Sequence, residues 1–521
     1  MSDTPADLLG QAATAHPDRP AIIMGTSGEV VSFGEIARRS NRLAWFFNSL
    51  GLRRGDVIGI LMENSTSFLE TAWAAQRSGL YYAAINWHLS TDEVEYILSD
   101  CGARVLVTSQ AQAESVTALA GRMPNVEAVL CVDGVLAEST HTRADVDEQP
   151  DTPLDDRSEG CELLYSSGTT GRPKAIKRPL PPPGELVPNH AGALRSYTTT
   201  YATSETSCYL SPAPLYHSAP LMSCLTIHRI GAPLVVMERF DAESCLAQIE
   251  RYRVTHAQFV PTMFVRMLKL EPETRARYDH SSLELVIHAS APCPLEVKQQ
   301  MIEWWGPILH EYYGGTEGMG TTTIDSIEWL AHPGSVGRPS GCAIHVLGDD
   351  GVELAAGETG TIYFESTRKF EYLNDPSKTA SITEAHGWRT LGDVGHVDED
   401  GYLYLTDRAT FMIISGGVNI YPQEIEDVLV MHPLVSDVAV FGIPHDDFGE
   451  EVKAVVQPAP GVEPDDELRE LLFAYAREHL AGFKVPRSID FVDELPRDPA
   501  GKLFKRRLRD PYWAQRATQI V

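Results

Sequence analysis

The chain has 521 residues, of which 43 are basic and 72 are acidic, so its formal net charge at pH 7 is −29. This length exceeds what one hydrophobic core usually serves, so we expect two or more domains. The negative charge would repel phosphate backbones and anionic membrane surfaces, which argues against nucleic acid as a general partner.

The cysteines and the apolar runs indicate where the protein resides. Eight cysteines are scattered without a C-x-x-C pair or a zinc-type histidine spacing, which predicts reduced, partly buried thiols. The first residues are acidic and lack the apolar core of a signal peptide, and no apolar run reaches the length of a membrane-spanning helix. We therefore expect a cytoplasmic protein with no integral membrane segment; the sequence is compatible with a homodimer as well as a monomer.

Strand-like and helix-like patterns alternate through most of the chain. Short apolar runs at 56–64, 103–109, 127–132 and 283–290 are typical of buried strands. Between them, residues 67–80 and 243–254 have the apolar spacing of helices. The alternation favours layers of α/β structure around parallel sheets.

The pattern changes towards the C-terminus. Strand-like runs at 437–444 and 450–458 and a helical pattern at 465–483 predict a compact α+β unit. The predicted fold is therefore α/β: a large N-terminal domain of layered α/β subdomains (1–407) and a small C-terminal α+β domain (408–521). The proline-rich run 178–185 is predicted to be a stiff loop.

The segment from Tyr165 to Lys174, YSSGTTGRPK, has the composition of a phosphate-binding loop. Its glycines expose backbone N–H groups, and its hydroxyls and Lys174 add further donors. The Gly-Lys-Ser/Thr triplet of a Walker A loop is missing. Glycine content alone also fits an ordinary polar surface loop.

Further segments have distinctive residues in a fixed order. Each has an ordinary structural explanation when taken alone: a lone histidine is often structural, a Gly-Asp pair is common in turns, and an exposed lysine is usually just solvated. The segments are PLYHS (214–218), HASAPCP (288–294), YYGGTE (312–317), GWRTLGD (387–393), YLTDR (404–408), IISGGVNIYP (413–422) and PRDPAGK (496–502).

In this order, together with the loop at 165–174, the segments resemble the adenylate-forming superfamily of acyl-CoA synthetases, luciferases and peptide-synthetase adenylation domains, most closely the acyl-CoA synthetases. The resemblance covers nearly the whole chain. It implies an ATP-dependent, AMP-forming acid:CoA ligase that uses ATP, Mg²⁺ and coenzyme A. It also implies that the domain 1–407 performs adenylation and that the domain 408–521 rotates between two half-reactions.

The resemblance assigns the nucleotide-binding residues. It implies that the phosphate loop holds the β- and γ-phosphates, that a small-residue turn and a tyrosine enclose the adenine, and that an aspartate and an arginine contact the ribose. These residues are Ser166, Ser167, Gly168, Thr169, Thr170 and Lys174 for the phosphates, Ser290, Ala291, Pro292 and Tyr313 for the adenine, and Asp393 and Arg408 for the ribose.

The resemblance also assigns the residues closest to the chemistry. It implies that Thr316 donates to the α-phosphate, that Glu317 is the Mg²⁺ ligand, and that His217 orients the substrate carboxylate. A carboxylate attacking a triphosphate brings like charges together, so the metal and Lys174 must offset them. It further implies that Lys502 bridges the carboxylate and the α-phosphate, and that Gly416 and Gly417 line the pantetheine channel.

Two departures from the family pattern carry information. The charged hinge that usually follows the family arginine reads Ala409-Thr410-Phe411 here. A glycine, Gly314, stands where acetate-type members have tryptophan, which leaves room for a larger acid. With a mainly apolar wall expected from 217–224, 260–265 and 314–319, we expect a medium- or long-chain fatty acid, or a bulky ring acid such as a steroid side-chain acid.

Several alternatives remain. An adenylating enzyme that loads a freestanding carrier protein would carry the same motifs, and luciferase-like oxidation uses the same adenylation site. A phosphate-binding protein that lost catalysis would lack Glu317, Asp393 or Lys502, and all three are present. A kinase is a poorer explanation, because its signature segments do not occur.

Overall fold

The computed structural model describes residues 7–166, 173–384, 386–408, 411–416, 418–445, 447–497 and 503–514. Its helices are α1 (Leu8–Ala15), α2 (Phe33–Ser49), α3 (Thr66–Arg77), α4 (Thr91–Cys101), α5 (Ala113–Ala118), α6 (Arg143–Asp147), α7 (Pro188–Thr199), α8 (Ser218–Ile230), α9 (Ala242–Tyr252), α10 (Pro261–Leu268), α11 (Pro272–Arg275), α12 (Leu295–Trp305), α13 (Ser326–Ala331), α14 (Pro376–Ser381), α15 (Pro422–Leu429), α16 (Asp466–His479) and α17 (Lys505–Trp513). A 3₁₀ turn spans Gln110–Gln112.

The strands are β1 (Pro20–Met24), β2 (Val30–Ser32), β3 (Val57–Leu61), β4 (Tyr81–Ala84), β5 (Ala103–Thr108), β6 (Ala128–Cys131), β7 (His141–Thr142), β8 (Cys161–Glu162), β9 (Leu164–Ser166), β10 (Lys174–Lys177), β11 (Tyr209–Ser211), β12 (Leu234–Val236), β13 (His256–Phe259), β14 (Leu285–His288), β15 (Leu309–Tyr313), β16 (Thr322–Asp325), β17 (Ser335–Pro339), β18 (Ala343–Leu347), β19 (Gly360–Glu365), β20 (Glu371–Tyr372), β21 (Asp393–Val397), β22 (Leu403–Arg408), β23 (Ile413–Ser415), β24 (Val418–Ile420), β25 (Val435–His445), β26 (Gly449–Pro458) and β27 (Ser488–Phe491).

One sheet of the N-terminal region is wholly parallel. Its strand order is β7-β6-β5-β3-β4-β8, and every neighbouring pair runs in the same direction. The apolar runs predicted as strands form its centre, because β3 and β5 are almost fully buried on both faces. A capping box at Ser90 and Glu93 begins the connecting helix α4, and Gly102, with φ at 67°, ends it. The prediction of parallel α/β layers is confirmed here.

The largest sheet is only partly parallel. Its order is β18-β19-β21-β22-β17-β16-β15-β14-β13-β11-β12-β1-β2. The pairs β11–β12, β11–β13, β13–β14 and β14–β15 are parallel, whereas the pairs from β15 to β18 are antiparallel. Short connections such as the one from β15 to β16 leave no room for a crossover helix, so the strands must reverse direction.

The C-terminal region forms a separate sheet. Strands β24-β23-β26-β25 are antiparallel neighbours, and β27 pairs in parallel with β26. The long hairpin of β25 and β26 buries its central residues against α15 and α17. The predicted fold class, a large α/β region with a small α+β domain, is confirmed; the boundary between 407 and 408 stays a prediction.

Apolar side chains and Lys269 contribute to the contact between the two regions. A continuous apolar cluster includes residues of β13, α10 and the C-terminal sheet. Lys269, just after α10, donates from Nζ to the carbonyl of Val430 at 3.0 Å and to the carbonyl of Val435. Burial lowers the pKa of Lys269 to about 8.

Two predictions about the whole chain can be compared with the structure. All eight cysteines are free thiols, five of them buried, as predicted. In the described portions of the chain, no helix combines the length and the apolar character that crossing a membrane requires.

Candidate active site

A cavity of about 2080 Å³ lies at the carboxyl ends of the parallel strands β11, β13, β14 and β15. This edge of a parallel sheet is where α/β proteins usually bind ligands, because the loops that follow the strands converge there. Nine residues that the sequence analysis singled out line it: Lys174, His217, Ser290, Ala291, Pro292, Tyr313, Thr316, Glu317 and Asp393.

Lys174, which the resemblance assigns to the phosphates, lines the cavity. It begins β10, which pairs with β9 so that Lys174 lies opposite Ser166. Its ammonium forms an ion pair with Asp375, which caps the start of α14 by accepting from the Lys378 amide at 2.8 Å. The hydrogen bond from Lys174 lowers the pKa of Asp375. Of the remaining loop residues, Ser166 is described as a backbone position in β9, and Ser167, Gly168, Thr169 and Thr170 lie outside the described residues.

The loop after β15 carries Thr316 and Glu317. Glu317 Oε1 accepts a hydrogen bond from the Tyr372 hydroxyl at 2.8 Å. The other oxygen lies over Gly315, where a Cβ atom would be 2.5 Å from Glu317 Oε2. A Cβ atom at this position would therefore shift the carboxylate. Arg178 donates to the carbonyl of Thr316 from the opposite side.

This loop could accept the metal that the resemblance implies. Mg²⁺ prefers oxygen ligands and is often bound by one or two carboxylates together with the phosphates of the substrate. Glu317 supplies one carboxylate, which borders the cavity and is fixed in orientation. The donor set therefore fits Mg²⁺ bound together with a nucleotide.

Tyr313 and Asp393, which the resemblance assigns to the nucleoside, are far apart in sequence and meet in the cavity. The Tyr313 hydroxyl donates to Asp393 Oδ2 at 2.6 Å, and Asp393 is only 7% exposed. The backbone of Arg408, at the end of β22, pairs with that of Asp393 at the start of β21. A tyrosine ring beside a carboxylate forms a surface that suits a base and a ribose.

The turn from Ser290 to Pro292 has an unusual backbone. Ser290 has a φ of 77°, in the left-handed region that residues other than glycine rarely adopt. Strained residues of this kind cluster at ligand sites, where the surrounding structure maintains them. His217 lies across the cavity, at the N-cap position of α8, with its ring 4.6 Å from that of Tyr216.

The structure describes the C-terminal site residues in part. Gly416 has a φ of 58° and donates its amide to the Phe448 carbonyl at 2.8 Å, but it is not among the cavity-lining residues. Gly417 and Lys502 lie outside the described residues. Residues 503–507, which directly follow Lys502 in sequence, do line the cavity.

Deep in the cavity lies a group of uncharged polar side chains that the motifs did not reveal. The Tyr197 hydroxyl donates to Ser223 Oγ at 2.6 Å, and Ser223 donates to Gln258 Oε1 at 2.7 Å. Gln258 in turn donates to the Tyr312 hydroxyl at 3.0 Å. We call these four side chains the polar cluster. Ser211 Oγ, also on the cavity wall, is buried without a hydrogen-bond partner among the described atoms.

Behind the site, a network of buried charges supports Arg178. Arg178 pairs with Glu162 at 3.1 Å, and His190 lies between Glu162, at 2.8 Å, and Glu159, at 2.9 Å. Arg229 pairs with Glu159 at 2.7 Å. Burial raises the pKa of Glu162, but the charges of His190 and Arg178 outweigh this effect and lower the pKa to about 2.

Cys161, Glu162 and His190 have ligand atoms within 4.8 Å of one another, the spacing of a metal site. Their surroundings argue against one. The carboxylate and the imidazole are already paired, and burial raises the pKa of the Cys161 thiol well above its usual range. The three residues fit a structural network better.

The proline-rich run is tied to the parallel sheet and its loops. Tyr81 donates its hydroxyl to the Arg178 carbonyl at 2.6 Å, and Arg54 donates to the Pro181 carbonyl at 2.6 Å. The run therefore anchors the segment that carries Arg178.

The residues that sequence analysis missed share one property. Arg178, Tyr372 and Asp375 lie outside the segments that define the family, as do the members of the polar cluster other than Tyr312, and their contacts depend on pairings across the fold. Only the Asp-Pro-Ser order at 375–377 gave a local signal, because it is typical of a helix start.

Comparisons with known proteins agree with this geometry. The model of the AMP-binding enzyme family matches residues 9–370, and that of the AMP-binding enzyme C-terminal domain matches residues 424–502. A feruloyl-CoA synthase from an Amycolatopsis species is 37% identical over 504 residues, which cover 95% of this chain and 96% of that protein. A fatty acid–[acyl-carrier-protein] ligase from Streptomyces coeruleorubidus is 30% identical over 524 residues, covering 98% and 96%.

A solved structure extends the likeness to three dimensions. The crystal structure of an anthranilate CoA ligase in complex with anthranoyl-AMP superimposes with a TM-score of 0.83 at 26% identity, covering 98% of this chain and 99% of that one. The family resemblance inferred from the motifs is confirmed. The chain belongs to the adenylate-forming superfamily and is an acid–thiol ligase of the AMP-forming acyl-CoA synthetase family.

Proposed function

We propose that the protein activates a carboxylic acid as its acyl-adenylate with ATP and Mg²⁺, and then transfers the acyl group to coenzyme A. The observation that carries this proposal is the convergence of nine motif residues on one cavity of about 2080 Å³. These residues come from segments distant in sequence, and together they offer the groups that a nucleotide and a carboxylate need.

The proposed roles follow from charge and geometry. Lys174 and residues of its loop hold the phosphates that leave, and Thr316 donates to the phosphate that is attacked. His217 orients the acid, and Asp393 and Tyr313 hold the nucleoside. Mg²⁺ on Glu317, when bound, offsets the negative charge that accumulates as pyrophosphate leaves.

The second half-reaction requires the catalytic lysine to leave the site. We assign Lys502 to adenylation and Gly416 and Gly417 to the channel for the pantetheine arm, with the domain 408–521 rotating between the two steps. Domain motions of this kind commonly gate multistep enzymes.

The cavity wall supports an acid with a large, mostly apolar body. Val260, Pro261 and Val265 provide apolar surface, and Gly314 also lines the cavity. A fatty acid or a bulky ring acid fits this wall. The polar cluster favours a ring acid with a hydroxyl or carbonyl group, because such a group can join these hydrogen bonds, whereas an alkyl end would exclude water from them without a new hydrogen bond. The similarity to a feruloyl-CoA synthase supports this preference.

The test is a two-stage assay on the purified protein. ATP, Mg²⁺ and a panel of acids, with aliphatic, cinnamic-type and steroid side-chain members, should release pyrophosphate, and the same acids should then consume the CoA thiol. Pairs of ring acids that differ by one distal hydroxyl test the role of the polar cluster. Failure of every acid to release pyrophosphate would refute the proposed activity.

A second candidate is transfer of the acyl group to a freestanding carrier protein, which the 30% identical acyl-carrier-protein ligase supports. Both functions share adenylation and differ in the acceptor. Pyrophosphate release without consumption of CoA thiol, followed by acylation of a phosphopantetheinylated carrier protein, would favour the second candidate.

A further inference from the structure

A short segment outside the family motifs contacts two charged side chains of the site. It runs from Glu371 to Lys378, through β20 and into α14. Its Tyr372 hydroxyl donates to Glu317, and its Asp375 carboxylate pairs with Lys174. Because these contacts lie three residues apart, one rigid segment fixes both the carboxylate and the lysine.

The segment is itself well anchored. Tyr372 pairs through its backbone with Ile176 of β10, and its ring lies edge-on against Phe370 with centroids 5.7 Å apart. Asn374 donates to the Asp100 carbonyl at 2.9 Å. The Tyr372 side chain is therefore held by packing that does not depend on its hydroxyl.

The hydroxyl fixes the rotation of the Glu317 carboxylate. It holds Oε1 at 2.8 Å, while Oε2 lies over Gly315, next to the Leu391 side chain. A tyrosine phenol ordinarily keeps its proton at neutral pH, so the Tyr372 hydroxyl is the donor in this hydrogen bond.

We propose that Tyr372 is a positioning residue that orients the Glu317 carboxylate towards the Mg²⁺ of the bound nucleotide. This inference rests on the proposed function. Outer partners that hydrogen-bond a metal-binding carboxylate orient it, and losing such a partner commonly costs about 10- to 100-fold in metal affinity or activity.

The test is the substitution Tyr372→Phe, which removes the hydroxyl and keeps the ring and its packing. Binding of ATP to the full chain is measured by calorimetry over a range of Mg²⁺ concentrations. We expect the Mg²⁺ concentration that gives half-maximal ATP binding to rise about tenfold. ATP affinity without divalent metal should be unchanged, and saturating Mg²⁺ should restore the rate of pyrophosphate release.

The matched control is Tyr402→Phe. Tyr402 also donates its hydroxyl to a glutamate, Glu328, at 3.2 Å, and is not among the cavity-lining residues. In this control variant, the Mg²⁺ concentration that gives half-maximal ATP binding should equal that of the unchanged protein.

Three results would overturn the inference. Tyr372→Phe could titrate like the unchanged protein, or both tyrosine variants could shift equally, which would indicate a general effect on folding. If the unchanged protein binds ATP without any dependence on Mg²⁺, the metal-dependent step of the proposed function fails as well. Failure of the Tyr372 variant alone leaves the proposed function intact.

Discussion

The backbone of Ser290 adopts a conformation that residues other than glycine rarely adopt. A left-handed conformation costs residues other than glycine about 1 kcal/mol. Ser290 has a φ of 77° and lines the cavity. The conformation is therefore explained by the shape of the turn and not by local preference.

We predict that Ser290→Gly raises the free energy of unfolding by about 0.5–1 kcal/mol, because glycine adopts the left-handed conformation without strain. The same substitution should weaken ATP binding, since a glycine turn is less rigid. Urea denaturation and calorimetry measure the two effects.

Ala202→Gly is the matched control, because Ala202 also has a positive φ, of 48°, and is not among the cavity-lining residues. It should gain stability without any change in ATP affinity. A stability gain at Ala202 but none at Ser290 would contradict the strain assigned to Ser290.

The network of buried charges behind the site connects β8, α7 and α8 with Arg178, which directly follows β10. Glu162 is central, because it pairs with both Arg178 and His190. Its pKa is lowered to about 2, so its charge contributes stability that is fully present above the unfolded value of 4.5. That contribution is lost as the pH falls through the pKa of Glu162 in the folded protein, about 2.

The contribution of His190 to the free energy of unfolding has the opposite dependence on pH. Burial lowers the pKa of His190, but the attraction of Glu162 outweighs it, and the pKa is raised above 6.5. Its contribution is therefore present below pH 6.5 and is lost as the pH rises through the folded pKa. The network is most stable on the weakly acidic side of neutrality.

We predict that Glu162→Gln lowers the free energy of unfolding at pH 7 by about 3 kcal/mol, because it removes the buried carboxylate that pairs with Arg178 and leaves His190 with Glu159 alone. Between pH 4.5 and pH 2, the free energy of unfolding should also fall less steeply in the variant than in the unchanged protein. Urea denaturation across this pH range measures both effects.

Glu127→Gln serves as the control, since Glu127 pairs with Arg104 on the exposed surface, where ion pairs contribute little. Equal losses of stability in the two variants would show that the buried network has no special role.

The sequence predicted elements better than it predicted contacts. The strands β3, β5 and β25 and the helices α3 and α16 were recognisable, because their apolar spacing is local information. The antiparallel half of the large sheet was not, since strand direction depends on the whole topology. For the same reason the pairs Tyr372–Glu317 and Lys174–Asp375 could not be read from the sequence.

Lys269 forms polar contacts between the N-terminal and the C-terminal region and acts as a tether between them. It reaches the carbonyls of Val430 and Val435 from the end of α10. Both carbonyls flank the turn between α15 and β25, so one ammonium fixes this turn against the N-terminal region. Rotation of the C-terminal domain would have to break both hydrogen bonds.

We predict that Lys269→Met speeds amide hydrogen exchange across residues 430–438 several-fold, since loss of the tether lets this turn open more often. Exchange in the six-stranded sheet should not change. Mass spectrometry of deuterium uptake on the full chain measures both regions.

Lys484→Met is the comparison, because Lys484 pairs with Glu424 within the C-terminal region, at 2.6 Å. It should leave exchange at 430–438 unchanged. An unaltered exchange rate in the Lys269 variant would refute its role as a tether.

The segment that we assign to phosphate binding connects the paired strands β9 and β10. Leu164, Tyr165 and Ser166 pair with Ile176, Ala175 and Lys174, so the strands fix both ends of the intervening segment. A change of length within 167–173 leaves this pairing intact, whereas one added residue in β10 would turn Lys174 to the opposite face of the hairpin. Loop grafting from other adenylate-forming enzymes is therefore feasible here, provided that the graft ends at these two positions.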